Sequence, residues 1–244
     1  MANPTTLIIG ANSEIAKALA LQTVNKSNNG LIVITRDPSF YLQPLFRNSK
    51  VITLADYQEY SINEAIDSIK ENKATLITNV FICHGLLHNQ HITPEKRLQA
   101  FDVDSFTEVM NANTITPMLW LKNLVPYLSG KETCKVVIFS ARVGSIADNK
   151  IGGWYSYRAS KAATNMLLKT AAIELARTAK NIKLISFHPG TTDSPLSKPF
   201  QKNVPEGKLF TSEFVASQLF AIVDNSELDG EVSFVDWQGK SIPW

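Results

Sequence analysis

The chain has 244 residues, 44% of them hydrophobic and 19% charged, with a net charge of +2. That fits a soluble globular protein able to bury a large core, and excludes an argument for nucleic acid or a membrane surface from charge, since Lys and Arg are scattered with no basic run. The start, "MANPTTLIIG", lacks the features of a signal peptide, and no apolar stretch approaches the roughly 20 residues that span a bilayer, so a cytoplasmic protein with no membrane partner is expected.

The first strand is expected in "TTLIIG", ending on Gly10, with a helix over 13–26. Gly10 permits a tight turn, Asn12 and Ser13 suit turning and capping, and the helix start aims free N–H groups at the turn, as a phosphate needs. A bare strand–Gly–helix is equally plain α/β architecture. The second strand, "GLIVITR", ends in Thr35 and Arg36, with Asp37 following. In a dinucleotide site an acid here holds the ribose 2′-hydroxyl and an Arg accommodates a 2′-phosphate, so Thr35 and Arg36 favour NADP, with NAD the other option. A third strand, "KVITLA", precedes a helix over 60–72. The fourth, "TLITNVFIC", leads through a polar stretch near 89–102 to a helix over 105–129. The fifth, "CKVVIFS", is followed by "GGWYSYRASKAATNML" opening a helix over 155–178.

Tyr157 and Lys161 stand i, i+4 at the start of that helix and share one face. A free phenol has a pKa near 10, and a nearby ammonium favours the phenolate, which would let Tyr157 exchange a proton with a carbonyl oxygen or an alcohol. A surface Tyr and Lys on an amphipathic helix is the plainer alternative. The sixth strand, "NIKLISF", runs into an irregular stretch over 189–210, of a length that is usually functional or mobile. A helix over 211–224, with Thr211 or Ser212 as N-cap, and the strand "GEVSFVD" complete the chain. The strands are rich in Val and Ile, and several are apolar on both faces, as a parallel sheet covered on both sides requires. The alternation predicts a doubly wound, mostly parallel sheet of about seven strands with helices on both faces, in one Rossmann-type domain over 1–244. Cys83 and Cys134 lie in apolar runs and read as reduced core thiols. The histidines show no metal-ligand spacing, so no metal is expected. The four tryptophans read as packing residues, with Trp154 also placed to wall a pocket.

With these motifs in order and spacing over essentially the whole chain, the sequence resembles the short-chain dehydrogenase/reductase family. "SARVGS", "GGWYSYRASKAA" and "GKSIPW" are most similar to its branch of C-factor proteins and sniffer-type carbonyl reductases. The resemblance implies an NADP-dependent oxidoreductase, a carbonyl reductase with a small-molecule carbonyl or alcohol substrate, built as a homodimer or homotetramer. The alternative it implies is a dinucleotide-binding sensor or signalling protein of C-factor type with little turnover. Tyr157 would be the acid–base residue, Lys161 would bind the nicotinamide ribose, and Asn113 would hold a water in the proton relay. Asp56 would contact the adenine, and Pro189, Gly190, Thr192 and Ser194 would border the nicotinamide. Gly10, Asn12, Ser13 and Ile15 would contact the pyrophosphate, with Glu14 pointing away from it or capping a backbone N–H. "FICHGLL" replaces the family's Asn-Asn-Ala-Gly and keeps only Gly85, so contacts from His84 and Gly85 rest on backbone. The family's Ser-Ser-x-x-Gly reads Ser140, Ala141, Arg142, Val143, Gly144 here. Alignment on Gly144 puts Ala141 at the catalytic serine. Ser140 and Ser145 are the possible substitutes, and Ser140 is taken, although strand alternation points it to the opposite face from Ala141.

Overall fold

The computed structural model describes residues 3–26, 29–71 and 75–244. Nine strands and six α-helices run in the order β1 (Pro4–Ile9), α1 (Glu14–Val24), β2 (Gly30–Thr35), β3 (Lys50–Thr53), α2 (Glu59–Lys70), β4 (Leu76–Ile82), α3 (Val103–Met110), α4 (Thr116–Leu128), β5 (Cys134–Phe139), α5 (Tyr155–Thr178), β6 (Ile182–His188), β7 (Thr191–Thr192), β8 (Leu209–Phe210), α6 (Ser212–Asn225) and β9 (Val232–Asp236). Seven strands form one parallel sheet in the order β3-β2-β1-β4-β5-β6-β9. All seven expected strands are in it.

Period-two alternation feeds two cores, one on each face. Leu7 and Ile9 face a core with Trp120 and Leu124 of α4 and Leu168 of α5. Ile8, between them, faces the other, with Leu19 of α1 and Val215 and Leu219 of α6. The chain order along the sheet reverses between β1 and β4, which opens a crevice beyond their carboxyl ends.

Local capping sets the helix starts. Ser13 Oγ accepts from Ala16 N at 3.2 Å, Asp102 Oδ1 from Ser105 N at 2.8 Å, and Thr211 Oγ1 from Phe214 N at 3.2 Å, each leaving one fewer orphan donor. Thr211 is therefore the cap of α6. Residue 72, the expected end of the second helix, lies outside the described residues.

The helix expected over 105–129 is not one α-helix. It breaks into α3, a π turn over Asn111–Ile115, and α4. The reason is Pro117, which has no N–H to give to the carbonyl of residue 113. That carbonyl instead accepts from Thr164 Oγ1 of α5 at 2.9 Å. The stretch over 189–210 is not structureless either: β7 and β8 pair in parallel and close it at its base, with a 3-10 turn over Lys198–Asn203 between them.

Candidate active site

The crevice holds two cavities. One of ≈ 320 Å³ runs along the turn after β1, lined by Asn12, Ser13, His84, Gly85 and Lys161 among others. The second, of ≈ 260 Å³, is walled by Leu87, Ala141, Val143, Trp154, Phe200 and Val204 and reaches Gly190 and Thr192. Ile15, Ser140, Tyr157, Pro189, Ser194 and Leu196 line both. Tyr157 thus stands on the partition between them.

At the first turn, Gly10 has φ +72, and a Cβ there would come within 3.2 Å of His84 Nδ1 and 3.3 Å of the Cys83 carbonyl carbon. Glycine is required on both counts. Ser13 caps α1, and Glu14 on its first turn pairs with Lys17 Nζ at 2.8 Å. An acid there is favoured by the helix dipole, and the ion pair holds the carboxylate toward Lys17.

At the second strand end, Thr35 is fully buried and lines neither cavity. Its hydroxyl donates to Asn12 Oδ1 and accepts from Asp37 N at 3.1 Å, bracing the first turn from behind. Arg36 is exposed, with its guanidinium carbon 5.0 Å from the Tyr57 ring centroid. Asp37 is turned away: its Oδ1 accepts from Ser39 N at 3.0 Å, and these Ser39 bonds hold its carboxyl below the usual range. Asp56 Oδ1 accepts from Gln58 N at 3.0 Å and Ser61 Oγ at 2.7 Å, fixing the entry to α2. Arg36 and Asp56 line neither cavity; they lie at the strand ends beyond the first.

His84 is buried and meets Tyr57 edge to face at 4.4 Å. Burial, then the charges of Lys161 and Arg36, push its imidazole down to about 3, so it is neutral. Its Nε2 is buried without a hydrogen-bond partner among the described residues.

Around Tyr157 the supports are long-range. Asn113 is fully buried; its Oδ1 accepts from Leu86 N at 2.6 Å, and its Nδ2 donates to Leu86 O at 2.8 Å and Ser160 Oγ at 3.0 Å. It therefore fixes the strand end after β4 to α5. Lys161 Nζ lies 5.8 Å from the Tyr157 ring centroid and donates to Phe139 O at 2.7 Å. Burial pushes the Lys161 ammonium down to about 7 and the Tyr157 phenol up to about 12. Desolvation is the physical cause in both cases, where a lowering of the phenol by its neighbour is expected from the sequence.

Ser140 lines the cavities, but its Oγ donates to Asn165 Oδ1 at 2.7 Å, which also accepts from Ser186 Oγ at 2.7 Å. Ser145 is buried, and its Oγ accepts from Asp148 N at 3.0 Å. The side chain that packs with Leu87 and Tyr157 is Ala141, as strand alternation implied. His188, which sequence reasoning left as an isolated histidine, lines the second cavity and is pushed down to about 4 by burial. Phe200 and Leu196 were anonymous members of the 189–210 stretch, with no motif to single them out.

A nicotinamide dinucleotide fits these residues. Gly10 permits the tight turn that packs against His84, and the Ser13-capped helix aims its start at the first cavity, which Asn12 and Ser13 line. Thr192 Oγ1, buried and without a partner among the described residues, stands where the second cavity meets Gly190. Among the described residues no cluster of three His, Cys, Asp or Glu could hold a metal ion, and no helix is long and apolar enough to cross a membrane.

Residues 4–205 match the family model "short chain dehydrogenase". The chain is 26% identical to the 1-hydroxy-2-glutathionyl-2-methyl-3-butene dehydrogenase of Rhodococcus sp. (strain AD45), over 98% of this chain and 99% of that one. Its fold superposes on the carbonyl reductase Sniffer of D. melanogaster with a TM-score of 0.83 and 19% identity, covering 98% of this chain and 99% of that one. An NADPH-bound carbonyl reductase from chicken fatty liver gives a TM-score of 0.77 and 21% identity over the full length of both chains. The chain belongs to the short-chain dehydrogenase family of oxidoreductases.

Proposed function

Starting from that family membership, we propose that the protein is an NADP-dependent carbonyl reductase with Tyr157 as its acid. One observation carries the reading: Tyr157 stands on the partition between a cavity that suits a dinucleotide and a mostly apolar one that suits a substrate. When bound, the reduced cofactor supplies the hydride that reaches the carbonyl carbon.

The chain's own residues do the rest. Gly10, Asn12, Ser13 and Ile15 cradle the pyrophosphate, and Thr35 acts through Asn12. Arg36, propped on Tyr57, takes the 2′-phosphate, while the Asp37 carboxylate, which stays ionised, is engaged by Ser39. Asp56 offers its second carboxylate oxygen at the adenine end. Backbone at His84 and Gly85 meets the ribose, Lys161 holds the nicotinamide ribose, and Pro189, Gly190, Thr192 and Ser194 border the nicotinamide, with Thr192 Oγ1 gaining the partner it lacks. Tyr157, protonated at neutral pH, gives its proton to the carbonyl oxygen as charge develops there. Ala141 leaves no serine hydroxyl at the oxygen, and the Ser140 hydroxyl is committed to Asn165, so Tyr157 is the principal donor. Asn113 keeps Tyr157 and Leu86 in register. Met166 and Ile173, exposed on α5, support assembly as a homodimer or homotetramer, which sedimentation would test.

The test is NADPH oxidation across a panel of carbonyl compounds. Tyr157→Phe is expected to lower kcat about a hundredfold or more. NADPH binding without turnover, unaffected by Tyr157→Phe, overturns the enzyme reading and favours the sensor, whereas turnover unaffected by Tyr157→Phe overturns the role given to Tyr157. Tighter binding of NADH than NADPH overturns the role given to Arg36.

A further inference from the structure

We propose that Trp154 selects the substrate, that Glu95 positions Trp154, and that the preferred substrate is an uncharged carbonyl compound carrying a planar aryl group beside the carbonyl. The inference rests on the carbonyl reductase reading and names its substrate class.

The turn before α5 is left-handed at three successive residues: Gly152 has φ +70, Gly153 φ +66 and Trp154 φ 53. Glycine accepts this readily, whereas a bulky residue pays for it in steric strain. Trp154 is the one non-glycine residue with positive φ among the described residues. Such a conformation persists only where surrounding contacts over-determine it.

Those contacts come from Glu95, in the segment between β4 and α3. Its backbone carbonyl accepts from Trp154 N at 2.5 Å. Its carboxylate accepts from Ser156 N at 3.3 and 3.2 Å and from the Ser156 hydroxyl. Both residues are buried. No side chain at Trp154 caps α5, so Glu95 does so from 61 residues away, where the helix dipole favours an acid. Arg158 holds the turn from the other side, donating from Nε to Gly153 O at 2.9 Å and from a terminal nitrogen to Gly152 O at 3.1 Å.

Held this way, the indole lies in the second cavity. Its ring is 6.1 Å from that of Tyr157 at 76° and 5.0 Å from that of Phe200 at 61°. Phe200 in turn meets His88 at 5.6 Å. Leu87, Val143 and Leu196 complete an apolar wall, and among the described residues no Asp, Glu, Lys or Arg lines this cavity. A charged group would be buried there without a partner, whereas a flat ring finds edge and face contacts.

The experiment compares kcat/KM for acetophenone and for 2-butanone, with NADPH, in the wild type, Trp154→Ala, Glu95→Ala and the double variant. The wild type is expected to prefer acetophenone. Trp154→Ala should cut the acetophenone to 2-butanone ratio on the order of tenfold, mainly through the acetophenone KM, as the loss of aromatic contacts predicts. Glu95→Ala should lower the same ratio, and should lower it no further in the Trp154→Ala background. Glu95→Gln, which keeps one oxygen for Ser156 N, should restore part of it, and it carries the test if Glu95→Ala does not fold. An unchanged ratio in Trp154→Ala, or multiplying effects in the double variant, overturns this inference alone. A wild type that oxidises NADPH with neither ketone nor any other carbonyl overturns the carbonyl reductase reading beneath it.

Discussion

Replacing Ala141 by serine should make the enzyme faster. The Ala141 side chain packs with Leu87 and Tyr157 and borders the ≈ 260 Å³ cavity, so a hydroxyl on its Cβ has open space on one side. A hydrogen bond to a group developing charge is worth about 1.5–3 kcal/mol, which corresponds to roughly tenfold to hundredfold in kcat. Part of that is lost to desolvating the new hydroxyl, so about tenfold is expected for Ala141→Ser. The neighbouring Ser140 supplies the control. Its hydroxyl is bound to Asn165 Oδ1 at 2.7 Å, so Ser140→Ala should cost about 1 kcal/mol of stability and change kcat by less than about threefold. Steady-state NADPH oxidation by the two variants, alone and with Tyr157→Phe, gives the answer. No gain in a stably folded Ala141→Ser protein would show that the oxygen does not sit beside residue 141. A fall of about a hundredfold in Ser140→Ala would make Ser140 the donor after all.

Other outcomes follow from the same geometry. Arg36→Ala should reduce the preference for NADPH over NADH about tenfold to hundredfold, measured by binding titration, because a charge-assisted contact is lost. Burial pushes Lys161 from its ordinary 10.5 down to about 7, so between these values the unfolded chain binds a proton that the folded one does not, and stability rises with pH across that window. Urea unfolding of Lys161→Met should show that slope flattened, with a gain over wild type at pH 6 of about 5 kcal/mol at most. His84 and His188 are pushed from 6.5 down to about 3 and about 4, so acid should destabilise the fold progressively below pH 6.5, and His84→Gln should weaken that loss. Pro117→Ala should let residue 117 donate to the carbonyl of Asn113 and compete with Thr164; a shift in the Thr164 hydroxyl environment and a several-fold fall in kcat are expected.

The sheet was legible because its signal is local: each strand is a short apolar run bounded by a turn, and β-α-β alternation leaves few topologies. Tyr157 and Lys161 were legible for a similar reason, since 3.6 residues per turn put i and i+4 side by side wherever that helix lies. Thr35 shows the limit of reasoning by position. Its place at the end of β2 suggested a ligand contact, yet its burial and its bond to Asn12 make it a brace for the turn. Nothing in "GLIVITR" distinguishes those two uses, because the direction of the side chain is settled by a partner 23 residues away.

The same reasoning explains why the substrate end was the less legible half. Cofactor contacts come from glycines, helix starts and short polar residues whose geometry is dictated by neighbours in sequence. The substrate end is fixed by pairs far apart: Glu95 on Ser156 across 61 residues, Asn113 on Leu86 across 27, and Thr164 on the Asn113 carbonyl across 51. The first and third join a loop or a distorted turn to α5, the helix that carries Tyr157, and Asn113 reaches α5 through Ser160 Oγ at 3.0 Å. Buried polar pairs of this kind are costly when half-made, so removing either member should disturb α5 more than an apolar truncation of similar size. In "NQHITPEKRLQAFD" Glu95 is one charged residue among several, and only the fold brings it to the start of α5. A substrate pocket built this way can change its selectivity by exchanging a single remote partner while the dinucleotide turn stays intact.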